Sequence, residues 1–203
     1  MTTSPTTSDI AWIVGNGTSR RGFDLERIKD TGVVYGCNAL YRDYKTKGYI
    51  LPHYLVAIDP GIITEIESSD FPSSRVIIPS ADEQFEPAEV NRGRPRSNAG
   101  VNAMIEAIRR EAKTLICVGF DFLQPEEPQS TSNFYEGSAN YGPETRASVM
   151  DNFGRTRYLK WLTDKNSEVN FFFAYPQNDF TLRINGSNIF HITFSQILEN
   201  LNA

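Results

Sequence analysis

The sequence predicts an α/β fold, a three-layer sandwich around a mostly parallel sheet, and three observations carry that prediction. Short apolar runs recur along the chain, and each ends in a polar turn. Two of them, Thr114–Val118 and Val169–Tyr175, are apolar without alternation, as strands covered on both faces must be. Segments of helical periodicity separate the later runs, the order expected of βα units.

Taken in order, the first strand is Ile10–Val14, ending in Gly15-Asn16-Gly17-Thr18-Ser19. The second, Gly32–Cys37, ends at Asn38, and the third, Tyr54–Ile58, at Asp59-Pro60. A fourth, Arg75–Ile78, leads into a long polar loop over 79–97. Val101, Met104, Ile105, Ile108 and Ala112 recur at helical spacing and predict a helix over Asn98–Ala112, with Ser97 or Asn98 as its cap. Thr114–Val118 ends at Gly119-Phe120-Asp121. A second long loop, a helix over Glu144–Leu162 and the strand Val169–Tyr175 follow. A short strand at Ile189–Ile192 and an amphipathic helix carrying Ile197, Leu198 and Leu201 close the chain. Residues 1–8 are polar and aperiodic, so 1–9 form a flexible tail and 10–203 a single domain.

Composition narrows the function. A net charge of -5 excludes a general phosphate-backbone binder, which needs surplus Lys and Arg. Any anionic ligand must then be held by a local cluster. Cys37 and Cys117 lie in apolar runs and are expected as buried, reduced thiols. With His53 and His191, both expected to be structural, they give no zinc-ligand spacing. No apolar run reaches membrane-spanning length and the N-terminus shows no signal pattern, so a cytoplasmic protein is expected.

In an open parallel sheet, ligands settle beyond the carboxyl ends of the strands. Gly15-Asn16-Gly17, Asn38, Asp59, Ser80 and Asp121 all fall at that edge. The Gly15–Ser19 turn is the strongest local signal. Its glycines let backbone approach an anion, and its N–H groups can bind phosphate oxygens; a tight strand-to-helix turn has the same composition. It lacks the third glycine of the dinucleotide fingerprint and the Lys of a phosphate loop. Arg92, Arg94 and Arg96 stand just ahead of the Asn98 helix and read either as a solvated loop or as an anion site, in which Arg96 beside Ser97 is the candidate ligand. The aromatic stretch Asn133–Pro143 reads equally as a lid or as a rigid loop packed by its own rings, with Tyr135 and Tyr141 as candidate ligand contacts.

Trp12-Ile13-Val14-Gly15-Asn16-Gly17-Thr18-Ser19, followed by Gly36-Cys37-Asn38-Ala39-Leu40-Tyr41, resembles the N-terminal motifs of bacterial lipooligosaccharide sialyltransferases. Gly100 through Gly119-Phe120-Asp121-Phe122 resembles that family's helix glycine and its later strand end. The resemblance covers roughly residues 10–45 and 95–123, with a weaker echo at 150–176. It implies a Rossmann-like fold, a cytidine-phosphate sugar donor and no required cofactor. Asn16 and Asn38 would contact donor phosphate and sugar, Asp121 would floor the nucleotide site, and the tyrosines of the long loop would reach the phosphate. Two departures stand out. Ala99 replaces the serine before the helix glycine, and Met150–Arg157 lacks the histidine that serves the family as general base. Asp151 would stand in for it only with a raised pKa.

Pro52-His53-Tyr54-Leu55-Val56-Ala57-Ile58-Asp59 is also similar to a segment of archaeal-type pterin diphosphokinases, which implies Asp59 and Asp121 sharing Mg²⁺ with a nucleotide diphosphate. Helix-capping aspartates would look the same. The glycine turn, the Gly36–Tyr41 segment and the Tyr135–Tyr141 loop together resemble small uncharacterised bacteriophage proteins, a setting in host cytoplasm or virion that leaves a non-catalytic binding or structural role open. Three expectations follow: a glycosyltransferase-like binder of a nucleotide-sugar, an Mg²⁺-dependent phosphotransferase, or a binding protein on the same fold. A homo-oligomer is compatible with each.

Overall fold

The structure is a computed structural model and describes residues 9–48, 51–80, 98–121, 133–142, 148–177 and 184–201. Residues 1–8, the Arg92–Arg96 cluster and Ser97 lie outside the described residues. The described strands are β1 (Ile10–Val14), β2 (Val33–Cys37), β3 (Tyr54–Val56), β4 (Val76–Ile77), β5 (Thr114–Val118), β6 (Asn170–Tyr175) and β7 (Ile189–Thr193). They form one sheet in the order β4-β3-β2-β1-β5-β6-β7, and every pairing among them is parallel. The fold is therefore an α/β Rossmann-like sandwich.

Side-chain alternation explains the layering. A buried strand sends successive residues to opposite faces, so an all-apolar run serves two cores. Ala11 and Ile13 of β1 join one core, and Trp12 and Val14 join the other. The first core packs under α3 (Ala99–Arg109) and α4 (Val149–Lys165), through Val101, Met104, Tyr158 and Leu162. The second packs under α1 (Tyr41–Lys47), α2 (Pro60–Glu67) and α5 (Phe194–Leu201), through Tyr44, Ile62, Ile66 and Ile197. Trp12 is wholly buried. A fully buried large apolar side chain contributes about 1.5–3 kcal/mol.

Several boundaries differ from the sequence expectation, each for a local reason. β3 stops at Val56, although the Ala57 N–H still donates to the Ile77 carbonyl at 3.0 Å. α4 begins at Val149 because Ser148 caps it, in a reciprocal box with Asp151 at the third helical position. α3 ends at Arg109, and Glu111 then turns left-handed at φ 67° before Ala112 re-enters the core. No helix among the described residues is long and apolar enough to cross a membrane.

The strand order sets the site. From β1 the chain steps outward through β2, β3 and β4, then returns through α3 to β5 on the other side of β1. The connections that follow β1 and β5 lead to opposite halves of the sheet, and a crevice lies beyond these two strand ends.

Candidate functional site at the strand switch

A cavity of about 500 Å³ occupies that crevice, within the range of small-molecule sites. Gly15, Asn16 and Gly17 line it from β1, and Asn38 from β2. Asp59 and Gly61 contribute from the start of α2, Asn98 and Gly100 from the start of α3, and Gly119 and Asp121 from β5. Turns scattered over more than a hundred positions thus share one rim. Ser80 does not line the cavity.

The glycine turn has a different employment from the one its composition suggests. Gly15 N–H donates to the Val118 carbonyl and Gly17 N–H to the Gly119 carbonyl, each at 2.9 Å, so β1 and β5 stay paired past their formal ends. A Cβ on Gly15 would lie 2.6 Å from the Gly119 carbonyl oxygen, which is why the strands can approach there. A Cβ on Gly17 would lie 2.6–2.7 Å from the Asp121 carboxyl. That carboxylate accepts the Ser19 N–H at 2.8 Å and, more distantly, the Thr18 hydroxyl at 3.4 Å. The anion that the turn cradles is the protein's own. Thr18 and Ser19 hold Asp121 and do not themselves line the cavity.

Asn38 and Asp59 form the opposite corner. Asn38 is buried with φ 47°, a left-handed conformation Asn tolerates better than most residues. Its side-chain carbonyl accepts the Ile58 N–H at 3.2 Å and its amide donates to Asp59 Oδ2 at 2.5 Å. Asp59 occupies the N-cap position of α2, with Pro60 behind it, but its carboxylate makes no capping bond. Although the residue is exposed at the cavity mouth, its carboxyl sits against the walls. That desolvation raises its pKa, opposed by Arg155 and the Asn38 amide.

One wall is the segment 133–142. Phe134 N–H donates to the Asn16 carbonyl at 2.7 Å, stitching the wall to the β1 turn. The buried Arg20 pairs with Asp43 at 2.6 Å, donates to the Tyr135 hydroxyl at 2.9 Å and lies 3.9 Å over the Phe134 ring. Arg42 bonds Ser138 and the Ala139 carbonyl while pairing with Glu65, which also receives Tyr41 and Asn140. Arg42 first, and then Tyr41 and Asn140, hold Glu65 down to about 2, against its partial burial. The wall is packed by its own rings and pinned by arginines. Tyr135 is buried in that packing away from the cavity, whereas Tyr141 lines it.

The Tyr141 hydroxyl is buried against the Ala39 backbone and the Asn16 side chain, both in looser than ordinary hydrogen-bond geometry, and lies within the influence of Asp59. Burial, then Asp59, raises its pKa. Asn16 donates from Nδ2 to the Cys37 carbonyl at 3.0 Å, which leaves its buried Oδ1 without a donor.

The remaining candidates are placed as follows. Asn98 caps α3, accepting from Gly100 and Val101 at 2.8 and 3.2 Å. Asp151 is spent on Ser148, accepting its N–H and hydroxyl, and the structure gives it a capping role. His53 Nδ1 accepts the Val34 N–H, and burial lowers its pKa. His191 bonds the Ile184 carbonyl at 3.0 Å. Both cysteines are buried and free. Burial pushes the Cys37 thiol up to about 12, so it is no nucleophile near neutral pH.

Sequence reasoning did not single out Asn152 and Arg155 of α4, Gly61 or Asn140, all of which line the cavity. A Ser148-x-x-Asp151 capping signature was available, and it would have put Asn152 and Arg155 on the first turns of a helix beside the strand ends. Comparison with family models, curated proteins and solved structures returns no match for this chain. The site therefore rests on its own chemistry. It offers amide groups, one carboxylate held by backbone, one carboxylate held by the Asn38 amide, one guanidinium and two helix N-termini. Such a set suits a polar, partly anionic ligand. Among the described residues no cluster of three or more His, Cys, Asp or Glu is arranged to hold a metal ion.

Proposed function

We propose that the chain binds a nucleotide-sugar of cytidine type across the β1/β5 crevice and acts as a glycosyltransferase-like protein. The observation that carries this is the convergence of Asn16, Asn38 and Asp121 on one cavity at the strand switch. The likeness of the Gly15–Ser19 and Gly36–Tyr41 segments to lipooligosaccharide sialyltransferases supports a cytidine donor. Arg155 and the start of α3 supply the positive character that a diphosphate or phosphodiester needs.

A second reading, Mg²⁺-dependent nucleotide phosphotransfer, is favoured by Asp59 and Asp121 lining the same cavity. With Asp121 held by Ser19, a cation there would depend on Asp59 and on phosphate oxygens of the ligand. A non-catalytic binding protein of phage origin is the third.

Calorimetric titration with CMP, a CMP-sugar and ATP, each with and without Mg²⁺, separates them. Metal-independent binding of the cytidine ligands is expected. Metal-dependent ATP binding would favour the phosphotransferase, and no heat with any ligand the non-catalytic protein. Asn16→Ala should weaken CMP binding at least several-fold, since the second Nδ2 proton, left over after the Cys37 carbonyl, is the donor for the phosphate and a hydrogen bond to a charged group contributes about 1.5–3 kcal/mol. Unchanged affinity would remove Asn16 from the site.

A further inference from the structure

Resting on the nucleotide-sugar reading above, we infer that the side-chain amide of Asn152 holds the sugar of the donor by a pair of neighbouring hydroxyls. Arg155, one turn further along α4, meets the phosphate that carries this sugar. Three observations point there.

The first is the hydrogen-bond inventory. Six asparagines line the cavity, Asn16, Asn38, Asn98, Asn133, Asn140 and Asn152. The protein uses the side chains of five. Asn16 donates to the Cys37 carbonyl and Asn38 to Asp59. Asn98 caps α3, Asn133 Oδ1 accepts the Tyr135 N–H at 2.9 Å, and Asn140 donates to Glu65. Asn152 differs. It is only 5% exposed, yet among the described residues no group hydrogen-bonds its side chain. Its backbone alone is engaged, the N–H donating to the Ser148 carbonyl and the carbonyl accepting the Thr156 hydroxyl. A nearly buried amide without a partner is costly and calls for a reason, and this one lines the cavity.

The second is the place of Asn152 on its helix. Residues three and four apart share a helix face. On the inward stripe of α4, Tyr158, Leu159 and Leu162 pack in the core. Toward the N-terminus the same stripe continues as Arg155 and Asn152. A helix that served packing alone would keep that stripe apolar to its end. Asparagine is also a poorer helix former than alanine or leucine. The stripe turns polar where it leaves the core and meets the cavity.

The third is what the amide can pair with. It presents two donors on Nδ2 and an acceptor at Oδ1, in one plane. A fully ionised phosphate accepts and donates nothing, so it would strand Oδ1 once the ligand closed over it. Neighbouring sugar hydroxyls each donate and accept, and they serve both ends of the amide. Arg155 is the one Lys or Arg lining the cavity among the described residues, and it is the place for the phosphate. One helical turn is about 5 Å along the axis. A phosphate at Arg155 therefore leaves the sugar it carries beside Asn152, whereas a free acceptor sugar has no such tether.

The test titrates the full chain with CMP and with CMP-sialic acid by calorimetry. Wild type should bind CMP-sialic acid more tightly than CMP. Asn152→Ala should weaken CMP-sialic acid about tenfold, the loss of about two neutral hydrogen bonds, and leave CMP within about twofold. Asn152→Leu, which keeps the volume, should do the same. Arg155→Gln should weaken both ligands alike, since both carry the phosphate. Asn152→Ala should melt no lower than wild type, because it removes an amide without a protein partner and improves helix propensity. Equal weakening of the two ligands by Asn152→Ala, or weakening of neither, overturns the assignment while leaving the nucleotide reading in place. So does a wild type that binds both ligands alike, a lowered melting temperature in Asn152→Ala, or an Arg155→Gln effect confined to CMP-sialic acid. Titration with lactose in the presence of CMP covers a free acceptor as the source of hydroxyls. Lactose binding lost in Asn152→Ala while CMP-sialic acid binding persists would move the residue to an acceptor site and overturn its role toward the donor. Absence of CMP binding in the wild type removes the nucleotide reading, and this assignment with it.

Discussion

The turn after β1 and the turns after β2 and β3 use similar residues and spend them in opposite directions. At Gly15–Ser19 the glycines admit β5 and a carboxylate, and the amides at 15, 17 and 19 are all engaged inside the protein. At Asn38 the backbone is left-handed, and the Asp59 carboxylate beside it is withheld from its helix. The Asn16 side chain crosses from the first region to the second, through the Cys37 carbonyl. A glycine-rich turn is therefore a structural hinge here, and the quieter asparagine–aspartate pair faces the open space. Motif strength in sequence measures backbone constraint, which has more than one cause.

That contrast can be broken most severely at Arg20, which fastens the first region to the 133–142 wall. Arg20→Ala strands the buried Asp43 and uncaps Tyr135. Breaking a buried pair in this way should cost about 3–5 kcal/mol in urea unfolding; a loss under about 1 kcal/mol would show that the wall is held by other contacts. Next come the two glycines. Gly15→Ala forces a methyl against the Gly119 carbonyl, which is backbone and cannot turn aside, whereas Gly17→Ala meets the Asp121 side chain, which can. Both should destabilise within the overpacking range of about 1–3 kcal/mol, Gly15→Ala more. The reverse order would mean that Asp121, not strand approach, sets the turn.

The smallest effect lies in the Arg42–Glu65 anchor of the wall. Glu65 has a folded pKa below its ordinary value, so the pairing is complete above about 4.5 and is lost as the pH falls toward about 2. Protection of the 133–142 amides, taken relative to their intrinsic exchange rate at each pH, should fall within that window, and Glu65→Gln should abolish that fall. Protection that stays constant between those limits would detach the wall from Glu65.

Much of the fold was legible because apolar runs without alternation, such as Leu115–Val118, leave few alternatives to a doubly covered strand. The rim followed from strand ends, which is why Asn16, Asn38, Asp59 and Asp121 were named together. What the sequence withheld was direction. Asp121 and Asp59 both follow strands, and only tertiary contacts decide which turns inward to a backbone N–H and which stays open. Tyr135 and Tyr141 sit six positions apart in one loop, yet Arg20 claims the first and leaves the second at the cavity. Asp151 has the chemistry of an acid–base group, but its three-residue spacing from Ser148 makes it half of a capping box.

The wall that completes the cavity also fixes when the cavity can exist. Arg20 and Tyr135 are 115 positions apart, so a chain emerging from the ribosome has β1 and its turn long before the partner that closes over them. Until that later segment arrives, Arg20 lacks the Phe134 ring and the Tyr135 hydroxyl that cover it in the folded protein. Contacts of such long sequence separation are slow to form. Ligand present during synthesis would accordingly meet a competent pocket only after the segment 133–142 and the first turns of α4 have emerged.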